Sequence, residues 1–82
     1  MSFSFEIPKP QNIKKTLLST KNKITTGGGM FSGNEMSGKF SGKGVGGVYS
    51  VGNSSIRITI TKKPSLYPES LVKNKIEGYF ME

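Results

Sequence analysis

Phe3, Phe5 and Ile7 alternate with Ser2, Ser4 and Glu6. A period of two is that of a half-buried strand, expected here over residues 2–7. Pro8 and Pro10 stop it, because neither can donate to a ladder. The spacing then changes. From Gln11 onward Ile13, Leu17, Thr20 and Ile24 recur at helical intervals, with Leu18 beside Leu17, while Lys14, Lys15, Lys21 and Lys23 lie mostly off that stripe. This predicts an amphipathic helix of about four turns, introduced by Pro10, whose missing N–H does no harm at a first turn. Thr25 and Thr26 weaken it, and Gly27-Gly28-Gly29 end it.

Residues 38–63, GKFSGKGVGGVYSVGNSSIRITITKK, form the stretch around which the chain is organised. Ahead of it, Met30, Phe31 and Met36 are candidate core residues and Gly33-Asn34 reads as a turn or bulge. The tripeptide FSG at 31–33 recurs at 40–42, which fits two short segments with an inward aromatic and a glycine bend. Val48–Val51 and Ile56–Thr61 flank Gly52-Asn53-Ser54-Ser55, a hairpin signal. Ile56, Ile58 and Ile60 point to one side; Arg57, Thr59 and Thr61 point to the other, as in an antiparallel sheet with one solvated face. Lys62-Lys63-Pro64 closes that strand. Pro68 suits the first turn of a last helix, with Glu69 near the positive end of its dipole. Leu71, Val72, Ile76, Tyr79 and Phe80 make its apolar stripe, and Gly78 weakens it by about 1 kcal/mol relative to alanine.

The expected order is β-α-β-β-β-α: an α+β fold in which a four-stranded antiparallel sheet carries two helices on one face. The 82 residues make a single small domain. Only 33% are apolar, so either the core is thin or an exposed sheet face is covered by a second copy or a partner.

Charge adds a second possibility. The net charge of +7 attracts a basic chain to nucleic acid or anionic surfaces. Yet Arg57 is the one arginine among twelve cationic residues, and arginine supplies the bidentate contacts that mark specific phosphate or base recognition. A solvated lysine surface is therefore the simpler reading.

Candidate chemistry is sparse. The chain has no cysteine, histidine or aspartate, and its five glutamates are scattered. Thiolate metal sites, imidazole bases and catalytic dyads all lack their parts, so no enzyme, metal or cofactor is expected. Residues 42–47, GKGVGG, match G-x-G-x-x-G literally. The dinucleotide fingerprint requires a helix immediately afterwards, and Val48-Tyr49-Ser50-Val51 is strand-like. The N-terminus shows no basic region followed by an apolar run, and no stretch approaches a membrane span, so a cytoplasmic location is expected.

With the sheet and last helix placed, residues 40–80, FSGKGVGGVYSVGNSSIRITITKKPSLYPESLVKNKIEGYF, resemble small bacterial proteins of the polyhydroxyalkanoic acid system family. That family pairs a similar glycine-bent hairpin with a strand, a proline-containing turn and a C-terminal amphipathic helix, after an N-terminal strand and helix. The likeness carries no catalytic motif. It implies a non-enzymatic accessory protein associated with storage-polymer granules.

Three functions follow as expectations, the last of them a ligand-binding or enzymatic role in a cleft between sheet and helices. The first is a small non-catalytic binding or accessory module acting through its sheet, as a homodimer or with a protein partner. Its candidate binding face is Lys43, Arg57, Thr59 and Thr61. The second is a basic nucleic-acid-binding module of the double-stranded RNA type, since helix, three strands, helix is also the element order of those domains. Pro68-Glu69-Ser70 stands where they carry a basic cluster.

Overall fold

The sheet has five strands rather than four. Residues 2–80 are described in the structure, a computed structural model. In chain order the elements are β1 (Phe3–Pro8), α1 (Ile13–Thr26), β2 (Met30–Gly33), β3 (Ser37–Gly42), β4 (Val45–Val51), β5 (Ser55–Lys62) and α2 (Glu69–Phe80). The sheet order is β1-β5-β4-β3-β2, and every pairing is antiparallel. β1 and β2 are the two edges, so α1 crosses from one side of the sheet to the other.

The additional strand comes from Asn34. Its side-chain carbonyl accepts from the backbone N–H groups of Met36 and Ser37 at 2.8 and 3.0 Å, and its own N–H donates to the Ser37 carbonyl. An Asn side chain that satisfies nearby backbone donors closes a tight turn. Residues 30–42 therefore fold back as a hairpin at the Gly33-Asn34 turn, which makes β2 a strand of its own. This also corrects two core residues. Met30 pairs with Ser41 and points to the open face, and Met36 lies in the turn; both are about three-quarters exposed.

Asn12, not Pro10, caps α1: its side chain accepts from the Lys15 N–H at 3.1 Å. Thr16, Leu17, Thr20 and Ile24 form the buried side of this helix. On α2 the buried residues are Val72, Ile76 and Phe80, spaced four apart. Leu71, expected in the core, is half exposed. Both helices lie on one sheet face, over Ile56, Ile58 and Ile60, each 0% exposed.

At the centre of that face β3 and β4 exchange aromatic rings for glycines. Register places Gly38 opposite Tyr49 and Phe40 opposite Gly47. A Cβ on Gly38 would lie 2.5 Å from the Tyr49 ring; one on Gly47 would lie 2.9 Å from the Phe40 ring and 2.6 Å from the Thr59 carbonyl. Each ring thus occupies the space a side chain would need on the opposite strand. These glycines are seats for rings more than bends. Phe31 stacks on Tyr49 at 5.5 Å, and Phe80 meets both Phe40 and Tyr49 edge-on at 6.0 and 5.7 Å. The Tyr49 hydroxyl donates to the Asn34 carbonyl at 2.7 Å, tying the ring cluster to the hairpin turn. Burial holds this phenol above its ordinary pKa, so it stays a neutral donor.

The helices are joined by a buried hydroxyl. Thr20 is 0% exposed, and its Oγ lies 2.8 Å from both the Thr16 and the Tyr79 carbonyls. Tyr79 belongs to the last turn of α2, whose carbonyls lack intrahelical partners, so α1 caps α2 from the side.

Gly47→Ala should lower stability by about 2 kcal/mol, because backbone as well as ring must move. A urea melt checks this as a lower midpoint with an unchanged slope. Thr20→Val should cost about 1–2 kcal/mol by orphaning the Tyr79 carbonyl. It should also speed amide exchange in the final turn of α2 relative to the rest of that helix.

Candidate functional site

The four residues expected to form one binding face do not share a surface. Arg57, Thr59 and Thr61 are on β5, on the sheet face opposite the helices. Lys43 is in the β3–β4 turn and lines a groove on the helix side.

The open sheet face consists largely of small hydroxyls. Across it run the registers Ser4, Thr59, Val48, Lys39, Ser32 and Glu6, Arg57, Ser50, Ser37. Its candidate residues already have partners. Thr59 and Ser4 hydroxyls lie 3.0 Å apart, and the Thr61 hydroxyl donates to the Gly46 carbonyl at 3.3 Å. Thr61 stands at a β-bulge, where Gly46 pairs with Lys62 and Gly47 with Ile60. Strict alternation along β5 therefore ends at this point. Arg57 donates to Glu6 at 3.1 Å, and Ser55 donates to the other carboxylate oxygen at 2.8 Å. The Ser55 hydrogen bond first, then the hydrogen bond and charge of Arg57, hold the Glu6 carboxyl below its usual range. Such an exposed pair contributes little to stability.

The second surface is a groove at the end of the sheet where the β3–β4 turn, the glycines after α1 and the start of α2 meet. Its volume is 180 Å³. Phe40, Val45, Val72 and Ile76 form its apolar lining, with Ile24 on the α1 side. Tyr67, Leu71 and Tyr79 border it, and the adjoining Leu66 is 91% exposed. The loop carrying Leu66 and Tyr67 is held in place twice. Lys63 donates to the Tyr67 carbonyl at 2.7 Å, and Pro64 packs at Gly44, where a Cβ would lie 3.1 Å from its Cγ.

Lys43 and Gly44 make the two-residue turn between β3 and β4 with φ of 53° and 83°. Positive φ at both positions is the twist-matched hairpin geometry that favours Asn or Gly. A lysine there costs about 1 kcal/mol. The G-x-G-x-x-G run is therefore a hairpin turn followed by a strand.

Sequence reasoning missed the grouping of Leu71, Lys75 and Tyr79. Each immediately precedes one of the buried Val72, Ile76 and Phe80, and they themselves repeat every four residues. That second stripe was the available signal; merging both stripes into one core face hid it. A second, more open hollow of 260 Å³ lies between α1 and the β2–β3 turn, partly lined by the exposed Lys14–Glu35 ion pair.

Among the described residues no three His, Cys, Asp or Glu side chains cluster as metal ligands, and no helix is long and apolar enough to cross a membrane. Comparison with protein-family models, curated proteins and solved structures finds no match for this chain.

Ser55→Ala should raise the Glu6 midpoint toward 4.5, as read by carboxyl NMR titration. A depressed folded-state pKa stabilises above the unfolded midpoint, and that contribution fades as pH falls through the folded one. The variant should show less of this acid-side dependence.

Proposed function

We propose that this chain is a small non-catalytic binding protein whose contact site is the helix-side groove. The observation that carries this reading is the pair of exposed side chains Tyr67 and Leu71 lining an apolar recess. Apolar side chains scattered singly over a surface are ordinary, but grouped around a concavity they mark binding sites. Self-association through the sheet has less support, because Val48 and the edge residue Met30 are the large apolar side chains exposed on that face and the rest of it is polar.

One observation favours a nucleic-acid module as the second reading. Lys15, Lys21 and Lys23 of α1 and Lys73 and Lys75 of α2 are all exposed on the helix layer. Lysine-driven affinity of this kind rises as salt is removed.

The neutral dye Nile red separates the two. Saturable one-to-one fluorescence enhancement is expected for the native chain and should be lost in Leu71→Asp, a change at a half-exposed position that leaves the core intact. Absence of saturable binding removes the groove reading. Low-salt anisotropy against duplex RNA is expected to show no binding; a salt-dependent complex there would transfer the function to the lysines.

A further inference from the structure

We propose that the groove takes a short acyl carboxylate, its chain in the apolar recess and its carboxylate between Lys43 and Lys75. This rests on the groove being the binding site and names what binds there. Three features of the site point to that chemistry. The lining is apolar apart from its rim, and the charged residues in it are Lys43 and Lys75, with no acid among them. The charge complement is thus an anion attached to an apolar body. Neither lysine makes an ion pair or side-chain hydrogen bond among the described residues, as is true of most lysines of the chain, so both ammonium groups are open to a bound anion. An anion held in this groove is attracted by both ammonium groups.

The third feature is the backbone under Lys43. A two-residue turn with positive φ is easiest for Asn or Gly, and here it carries a long cationic side chain at a groove mouth. An unfavourable residue at a strained position is a pointer to a role for that side chain. Size sets the length of the guest. A volume of 180 Å³ holds about six groups of roughly 30 Å³, the share of one water molecule. That suits a chain of octanoate length with its last carbons and carboxylate outside, and it is too small for a helix or a folded partner.

The test titrates the chain with octanoate, 1-octanol, octylammonium and octyl phosphate, each below its aggregation concentration, followed by amide NMR shifts. Octanoate is expected to bind one to one with shifts at Val45, Leu71 and Val72, and about tenfold more tightly than octanol or octylammonium at low salt, a preference that shrinks as salt is added. Lys43→Gly, which suits the turn, combined with Lys75→Ala should abolish that preference while Nile red still binds. Equal affinity for octanol and octanoate overturns this proposal and leaves the groove reading standing. Octyl phosphate binding where octanoate does not overturns the carboxylate assignment. Binding to anionic phospholipid vesicles without binding to monomeric octanoate overturns it in favour of a lipid surface. Retention of the preference by the double variant overturns the role of the two lysines.

Discussion

Phe40 and Tyr49 lie across Gly47 and Gly38, and the rest of the structure depends on that exchange. Each ring needs a strand neighbour without a side chain, and each glycine needs a ring to cover backbone that would otherwise lose its packing. Register supplies both at once: the pairs are opposite each other on β3 and β4 and two residues apart along each strand. The rings stay low against the sheet, so Phe80 of α2 meets both edge-on and Phe31 of the edge strand stacks beside Tyr49. In this way four aromatics join three strands and a helix in a chain with modest apolar content. Slipping β3 by one residue would turn Phe40 to the hydroxyl face and leave a glycine beneath no ring.

The two faces of the sheet divide the chemistry. The helix face is aliphatic and aromatic, with Thr20 as a buried polar group satisfied by backbone carbonyls of both helices. The other face is lined largely by serines and threonines, of which Thr59 bonds Ser4 and Thr61 bonds the Gly46 carbonyl, with one carboxylate held ionised by Ser55 and Arg57. A polar face of this kind is compatible with water, as in antiparallel sheets with one solvated side. Met30 and Val48 are exposed on the open face, Met36 in the β2–β3 turn and Leu18 on α1, while Tyr67 and Leu71 are exposed at the end of the helix layer. There α2 is offset from the β3–β4 turn and a recess remains between them.

Much of the fold was legible. Alternation over Phe3, Phe5 and Ile7 and over Ile56, Ile58 and Ile60 marked two strands and their inward sides, since side chains in a strand alternate by geometry. Helical spacing from Ile13 to Ile24 and from Val72 to Phe80 marked both helices. The turn at Gly33-Asn34 was legible as a turn or bulge, but the strand it creates was not counted, because β2 is four residues long and too short for a hydrophobic period. Met30 and Met36 were misplaced for the same reason: without the hairpin their inward or outward direction is undefined. The candidate site was legible only in pieces. Lys43 was singled out, but it was grouped with Arg57, Thr59 and Thr61, which face the opposite side of the sheet.

The sequence by itself determined the periodicities, the element types, the inward set of isoleucines and the lack of histidine, cysteine and aspartate, because each of these is local or compositional. Tertiary structure alone decided which glycines carry rings, which hydroxyls are paired, and which stripe of α2 reaches the core. Those depend on contacts between residues far apart in the chain, such as Thr20 with Tyr79 and Glu6 with Arg57. The groove belongs to the second group. Ile24, Lys43, Val45 and Leu71 come from α1, a turn, a strand and α2, and no spacing along the chain records the gap that their packing leaves.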